Sequence, residues 1–211
     1  MRLFQLSFNP FQVNTYILAC ADGDAWVIDP GMHTDMEKKA FDDLIRGNGL
    51  QPRAIINTHA HIDHILGNQH VRETYGAQHW AHTGCIPFLD RSPEHAAIFG
   101  LEMEQPEHPD LLLDDGEVLH MEGRAVHVLY TPGHAEGSIC LHIPSMHMLF
   151  AGDVLFNGSI GRTDLLTGDY ELLLHSIRSK LLVLDPDTRV FSGHGPETTI
   201  GFELQSNPYL R

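Results

Sequence analysis

Thr58-His59-Ala60-His61-Ile62-Asp63-His64 places four metal-ligating side chains within six residues, in the order His-x-His-x-Asp-His. Imidazole and carboxylate suit zinc, iron or manganese. An open catalytic zinc site commonly takes three protein ligands and keeps a position for water. Four ligands in so short a span therefore point to two metals sharing the segment, provided that more ligands come later in the chain.

Three later stretches supply them. Thr131-Pro132-Gly133-His134 follows the apolar run Val126-His127-Val128-Leu129-Tyr130, and Phe150-Ala151-Gly152-Asp153 follows Met146-His147-Met148-Leu149. Phe191-Ser192-Gly193-His194-Gly195 follows Thr188-Arg189-Val190. Each is a strand-like run ending in Gly and then a His or Asp. Glycine permits a sharp turn, and a strand end is a rigid place from which to present a ligand. The first motif has the same form, since Arg53-Ala54-Ile55-Ile56-Asn57 reads as a buried strand running into Thr58-His59.

These motifs resemble the metallo-β-lactamase superfamily, and within it the glyoxalase II (hydroxyacylglutathione hydrolase) branch in its short bacterial form. The resemblance runs from Asn14-Thr15-Tyr16 and Ile28-Asp29-Pro30-Gly31 through the ligand motifs to Asn207-Pro208-Tyr209. It implies an α/β fold, a four-layer αββα sandwich, as a single domain over residues 1–211. It also implies two divalent metal ions, zinc first, with iron or manganese also fitting. His59, His61 and His134 would hold one metal and Asp63, His64 and His194 the other, with Asp153 bridging. A hydroxide between the metals would be the nucleophile, with Asp63 and Asp153 as the catalytic carboxylates. Asp29 would orient a ligand histidine through its second ring nitrogen.

Substrate contacts follow from the same resemblance. Arg162, in Asn157-Gly158-Ser159-Ile160-Gly161-Arg162-Thr163-Asp164, stands where glyoxalase II enzymes carry a basic residue that holds the glutathionyl substrate. A guanidinium can grip a carboxylate with two parallel hydrogen bonds; the bland alternative is an ion pair with Asp164 or Glu171. Asp164 stands near where the longer enzymes place an aromatic contact. Only 17 residues, Gly195 to Arg211, follow His194, so the C-terminal glutathione-binding helical domain of longer relatives is expected to be absent.

The expected activity is hydrolysis of a small-molecule thioester, S-lactoylglutathione and water giving lactate and glutathione. Two other readings stay open. One is a mononuclear iron persulfide dioxygenase using His59, His134 and Asp153; the other is a hydrolase of another small ester or lactone.

Composition narrows the class. The formal charge of −15 argues against a nucleic-acid partner. The three cysteines, Cys20, Cys85 and Cys140, are far apart and form no C-x-x-C pair, which suits a reducing compartment. Met1-Arg2-Leu3-Phe4-Gln5-Leu6 opens directly into strand pattern, and no apolar stretch is long enough to span a bilayer. A cytoplasmic protein without membrane association is expected. Most of the 16 histidines read as packed or solvated residues; His79 and His82, beside Trp80, could line a pocket rim.

Periodicity gives strands over 3–8, 13–20, 25–29, 78–82, 117–122, 124–130, 138–143, 146–150 and 189–192, and helices over 35–46, 64–75 and 169–182. The proline-rich stretch 84–110 reads as one or two short helices in an excursion beside the site.

Overall fold

The computed structural model describes residues 1–211. Its contacts divide the chain into two compact units, Met1–Leu112 and Leu113–Arg211.

The first unit is built on a six-stranded sheet in the order β1 to β6: β1 (Arg2–Phe8), β2 (Val13–Ala19), β3 (Asp24–Ile28), β4 (Gln51–Ile56), β5 (Gln78–Ala81) and β6 (Leu111–Leu112). The first three strands pair antiparallel and the rest add in parallel. β2 is buried throughout, as expected of a strand covered on both faces. Helix α1 (Asp35–Gly47) starts on a capping box: Thr34 and Glu37 satisfy each other's backbone N–H groups, which offsets orphan donors at the helix start. Its Phe41 and Ile45 enter a core with Val13, Ile17, Val27, Ile55 and Val71.

The helix expected over 64–75 is broken in two, α2 (Ile62–Ile65) and α3 (Asn68–Tyr75). The reason is tertiary. Gly67 donates its N–H to Pro30 O at 2.7 Å, and a Cβ there would lie 1.9 Å from Met32 Sδ and 2.8 Å from Pro30 O. The chain therefore leaves helical geometry to lie against the turn after β3. In the proline-rich excursion the two short helices are α4 (Ile86–Asp90) and α5 (Ser92–Ile98).

The second unit carries β7 (Val118–Met121), β8 (Arg124–Tyr130), β9 (Ile139–Ile143), β10 (Met148–Gly152), β11 (Leu155–Phe156), β12 (Ser159–Ile160), β13 (Arg189–Ser192) and β14 (Thr198–Thr199). Six form a sheet in the order β14-β13-β10-β9-β8-β7, and β11 pairs with β12 separately. β10 and β13 run parallel, so their ends carry Asp153 and His194 side by side. Helix α6 (Tyr170–Ser176) is capped by Asp169, whose carboxylate accepts from Leu172 N at 2.9 Å. It continues over Ile177–Leu181 as a π-helix where the periodicity gave one α-helix. Leu173, Leu174, Ile177 and Leu181 pack on Cys140, Leu149 and Val190. Helix α7 (Ile200–Ser206) follows β14. No helix is long and apolar enough to cross a membrane.

Candidate metal centre

In the first unit β4 runs buried into Asn57, Thr58 and His59. His61 caps α2, and Asp63 and His64 lie in its only turn. The ring centroids of His59 and His61 are 4.7 Å apart, and those of His59 and His64 are 4.1 Å apart. His59 Nε2 faces His61 Nδ1 at 3.1 Å, and His64 Nε2 faces Asp63 Oδ2 at 3.5 Å.

Asp29, 2 % exposed and at a φ of 49°, ends β3 beneath this cluster. Its Oδ1 accepts from Thr58 N at 2.7 Å; its Oδ2 accepts from Thr58 Oγ1 at 2.6 Å and from His64 Nδ1 at 3.0 Å. A carboxylate can only accept, so neutral His64 carries its proton on Nδ1 and its lone pair on Nε2. The Thr58 hydroxyl proton is committed to Asp29, which turns an oxygen lone pair towards His59 Nδ1 at 3.2 Å. His59 is thereby also a donor at Nδ1 and an acceptor at Nε2. One carboxylate sets the tautomers of two histidines, one directly and one through a hydroxyl. The sequence expectation for Asp29 covered one histidine; the Thr58 relay was missed, because a threonine before a His-x-His motif carries no distinguishing pattern.

In the second unit Gly133, Gly152 and Gly193 serve three turns that present His134, Asp153 and His194. At Gly133 (φ 123°) a Cβ would lie 2.3 Å from Leu173 N, so only glycine lets α6 approach there. Asp153 Oδ2 lies 3.7 Å from His134 Nε2 and 3.5 Å from His194 Nε2. His134 Nδ1 donates to the carbonyl oxygen of Arg162 at 2.8 Å, which again leaves the neutral ring's lone pair on Nε2.

This donor set fits divalent cations. Two atoms each 2.0–2.1 Å from a tetrahedral ion stand about 3.4 Å apart, and the donor pairs within each unit span 3.1 to 3.7 Å. These distances suit ligands that share an ion. Three of the imidazoles also have Nδ1 committed to an oxygen, the arrangement that orients a ligating ring.

Arg162 contributes its main chain to His134, while its exposed guanidinium makes two 2.7 Å bonds to Asp164. That pair holds the Asp164 carboxyl down at about 2. Cys85 and Cys140 are buried thiols pushed up to about 12 by desolvation, so neither is poised as a nucleophile.

His79 is buried rather than at a rim. Its Nε2 meets Asn57 Oδ1 at 2.7 Å, and Asn57 Nδ2 donates to His64 O at 3.0 Å. Burial, reinforced by Arg72 and opposed by Asp110, lowers its pKa to about 4. An unfolded histidine titrates near 6.5, so between these values the unfolded chain binds the extra proton. The stability from neutral His79 is full above about pH 6.5 and is lost as pH falls towards 4, by roughly 3 kcal/mol. In urea unfolding of chelator-treated protein, His79→Gln should flatten this acid-side slope. Parallel slopes for the two proteins would rule out His79 as its source.

The fold and its His/Asp clusters define a metal-dependent hydrolase. The chain belongs to the metallo-beta-lactamase superfamily, whose family model matches residues 8–194. It is 37 % identical to hydroxyacylglutathione hydrolase GloC of Haemophilus influenzae, over 95 % of this chain and 93 % of that one. Among solved structures, BLEG-1 B3 metallo-beta-lactamase matches with a TM-score of 0.91 and 39 % identity over 99 % of both chains. The di-iron-bound form of TTHA1623 matches with a TM-score of 0.87 and 36 % identity, over 98 % of this chain and 100 % of that one.

Proposed function

We propose that this protein is a binuclear metal-dependent thioester hydrolase of the hydroxyacylglutathione hydrolase type, acting on S-lactoylglutathione. The similarity to GloC over almost the full length of both chains carries the choice of thioester. His59, His61 and His134 would hold one metal, Asp63, His64 and His194 the other, and Asp153 would bridge. Zinc, iron and manganese all suit this mixed set. When bound, two such ions lower the pKa of water and polarise the carbonyl it attacks.

The chain's own residues do the rest. Asp29, Thr58 and the Arg162 carbonyl hold three imidazoles in the tautomer that offers Nε2. Asp153 supplies one negative charge between two histidines. In the overall reaction the water oxygen forms the new C–O bond, the C–S bond breaks, and the products are lactate and the thiol. The buried cysteine thiols and the charge of −15 support a cytoplasmic enzyme with a small-molecule partner, away from nucleic acid and membrane.

The test is steady-state hydrolysis of S-D-lactoylglutathione with metal content measured on the same sample. Turnover with about two metals per chain supports the reading. Two metals without turnover would move the substrate to another ester or lactone, and a single iron with oxygen uptake on a persulfide would replace it with the dioxygenase. Arg162 is the residue we assign to the substrate carboxylate, which would exchange with Asp164 for the guanidinium. Because one exposed ion pair replaces another, the net gain is small. Arg162→Ala should raise KM roughly 3- to 10-fold and change kcat less. An unchanged KM would remove Arg162 from binding.

A further inference from the structure

Strands β11 and β12 make a hairpin with two residues in each strand, and they pair only with each other. A two-stranded ribbon this short does not hold its own position in water. Yet it meets all three of the clustered side chains in the second unit. β11 begins just past Asp153 and Val154. Phe156 sets its ring centroid 6.4 Å from that of His194. At the other end Gly161 N donates to Val154 O at 3.2 Å, and the Arg162 carbonyl accepts from His134 Nδ1 at 2.8 Å. Whatever fixes the hairpin therefore also fixes the acceptor that orients His134.

The fastening comes from the C-terminal helix and the Asn207-Pro208-Tyr209 stretch behind it. Glu203 of α7 is wholly buried. Its two oxygens accept from Gly158 N, at the hairpin tip, at 3.1 Å each. They also accept from Thr198 Oγ1 at 2.5 Å and from Asn207 Nδ2 at 2.7 Å. All three donors are neutral, and a buried charge persists only where such bonds compensate it. Asn207, 1 % exposed, donates from the same Nδ2 to Ser159 O at 3.0 Å, and Tyr209 N donates to its Oδ1 at 3.0 Å. Both faces of the Asn207 amide are thereby engaged, and its orientation is fixed. Gly158 itself takes a φ of 68°, as the two-residue Asn-Gly turn requires. The tip is thus gripped at Gly158 N and at Ser159 O by side chains from one remote element.

We propose that Glu203 and Asn207 are positioning residues, a clasp that holds the 155–160 hairpin and, through it, the Arg162 carbonyl on His134. The inference rests on the metal centre of the proposed function and not on its substrate. Removing the clasp frees the hairpin, so His134 loses its steady acceptor and the neighbouring ligands lose their support. An orienting partner of a ligating ring is worth about tenfold in metal affinity or more.

The test is zinc affinity by chelator competition on the full chain, with S-lactoylglutathione turnover read in parallel. Glu203→Ala should weaken zinc binding about tenfold. Asn207→Ala, which spares the carboxylate and cuts the bond to Ser159, should weaken it in the same direction and decides the question if Glu203→Ala does not fold. Glu203→Gln should recover most of the affinity, because its oxygen keeps Gly158 N and Asn207 Nδ2 while its NH2 donates to the Thr198 hydroxyl. Ile200→Ala is the control: it thins the core under the same helix and should lower the urea midpoint with zinc affinity unchanged. Long-range ¹H–¹⁵N correlation on chelator-treated protein should show His134 protonated at Nδ1 in the wild type and as a tautomer mixture in Glu203→Ala and Asn207→Ala. Wild-type zinc affinity in both alanine variants, an unmoved His134 tautomer, a Gln variant as weak as the Ala one, or an equal loss in Ile200→Ala would each overturn the clasp. A wild type that binds no zinc would remove the clasp and the metal centre together. Weakened zinc binding confined to the clasp variants, with no thioester hydrolysed by the wild type, supports the clasp and removes the thioesterase.

Discussion

Under the proposed function, Asp153→Asn should lower kcat for thioester hydrolysis by about 10²- to 10³-fold and reduce the metal content from about two per chain towards one. The side chain keeps its size and the turn keeps its glycine, so the loss is one of charge and donor chemistry. In the wild type a single oxygen, Asp153 Oδ2, faces His134 Nε2 at 3.7 Å and His194 Nε2 at 3.5 Å. If Asn presents its NH2 there, a donor replaces an anionic oxygen; if it presents its carbonyl, the dipole binds a cation more weakly. The surrounding backbone gives little room to compensate: Gly193 N donates to Gly152 O at 2.7 Å, and at Gly161 a Cβ would lie 2.0 Å from Asp153 O. Metal analysis with steady-state kinetics decides the matter. A variant that holds two metals and turns over at the wild-type rate would remove Asp153 from the bridging position.

Much of this His/Asp clustering could be read from the chain because its residues recur in one local form. A strand, a glycine turn and a His or Asp appear at His134, Asp153 and His194, and each reading needs only neighbouring residues. The pattern fails where the cause is distant. The break between α2 and α3 depends on Gly67 lying against Pro30 and Met32, and no helical periodicity contains that contact. β6, β11, β12 and β14 are two residues each, too short for alternation to register. The role of Arg162 towards His134 belongs to its carbonyl, which every residue type carries. Its guanidinium, the part that sequence draws attention to, is engaged with Asp164 in the structure. The bond from Gly158 N to Glu203 joins positions 45 residues apart and has no local signature.

Asp29→Asn is expected to weaken metal binding by about 10- to 100-fold while the fold persists. The cause is the position of a proton. The amide can keep its carbonyl towards Thr58 N, as Oδ1 does now at 2.7 Å. Its NH2 then occupies the place of Oδ2, where Thr58 Oγ1 and His64 Nδ1 both donate at present, at 2.6 and 3.0 Å. Two donors cannot face a donor without loss. His64 relieves the conflict by moving its proton to Nε2, the atom that the proposed metal site would take. Thr58, released from Asp29, no longer holds its lone pair towards His59 Nδ1. The reverse flip of the amide leaves Thr58 N facing the NH2 instead, and this costs stability in place of tautomer control. Chelator competition on the two proteins measures the affinity. Long-range ¹H–¹⁵N correlation of the imidazole rings reads the tautomers directly, independent of turnover. Wild-type metal affinity in Asp29→Asn, with His64 still protonated at Nδ1, would show that the tautomer is set by something other than Asp29.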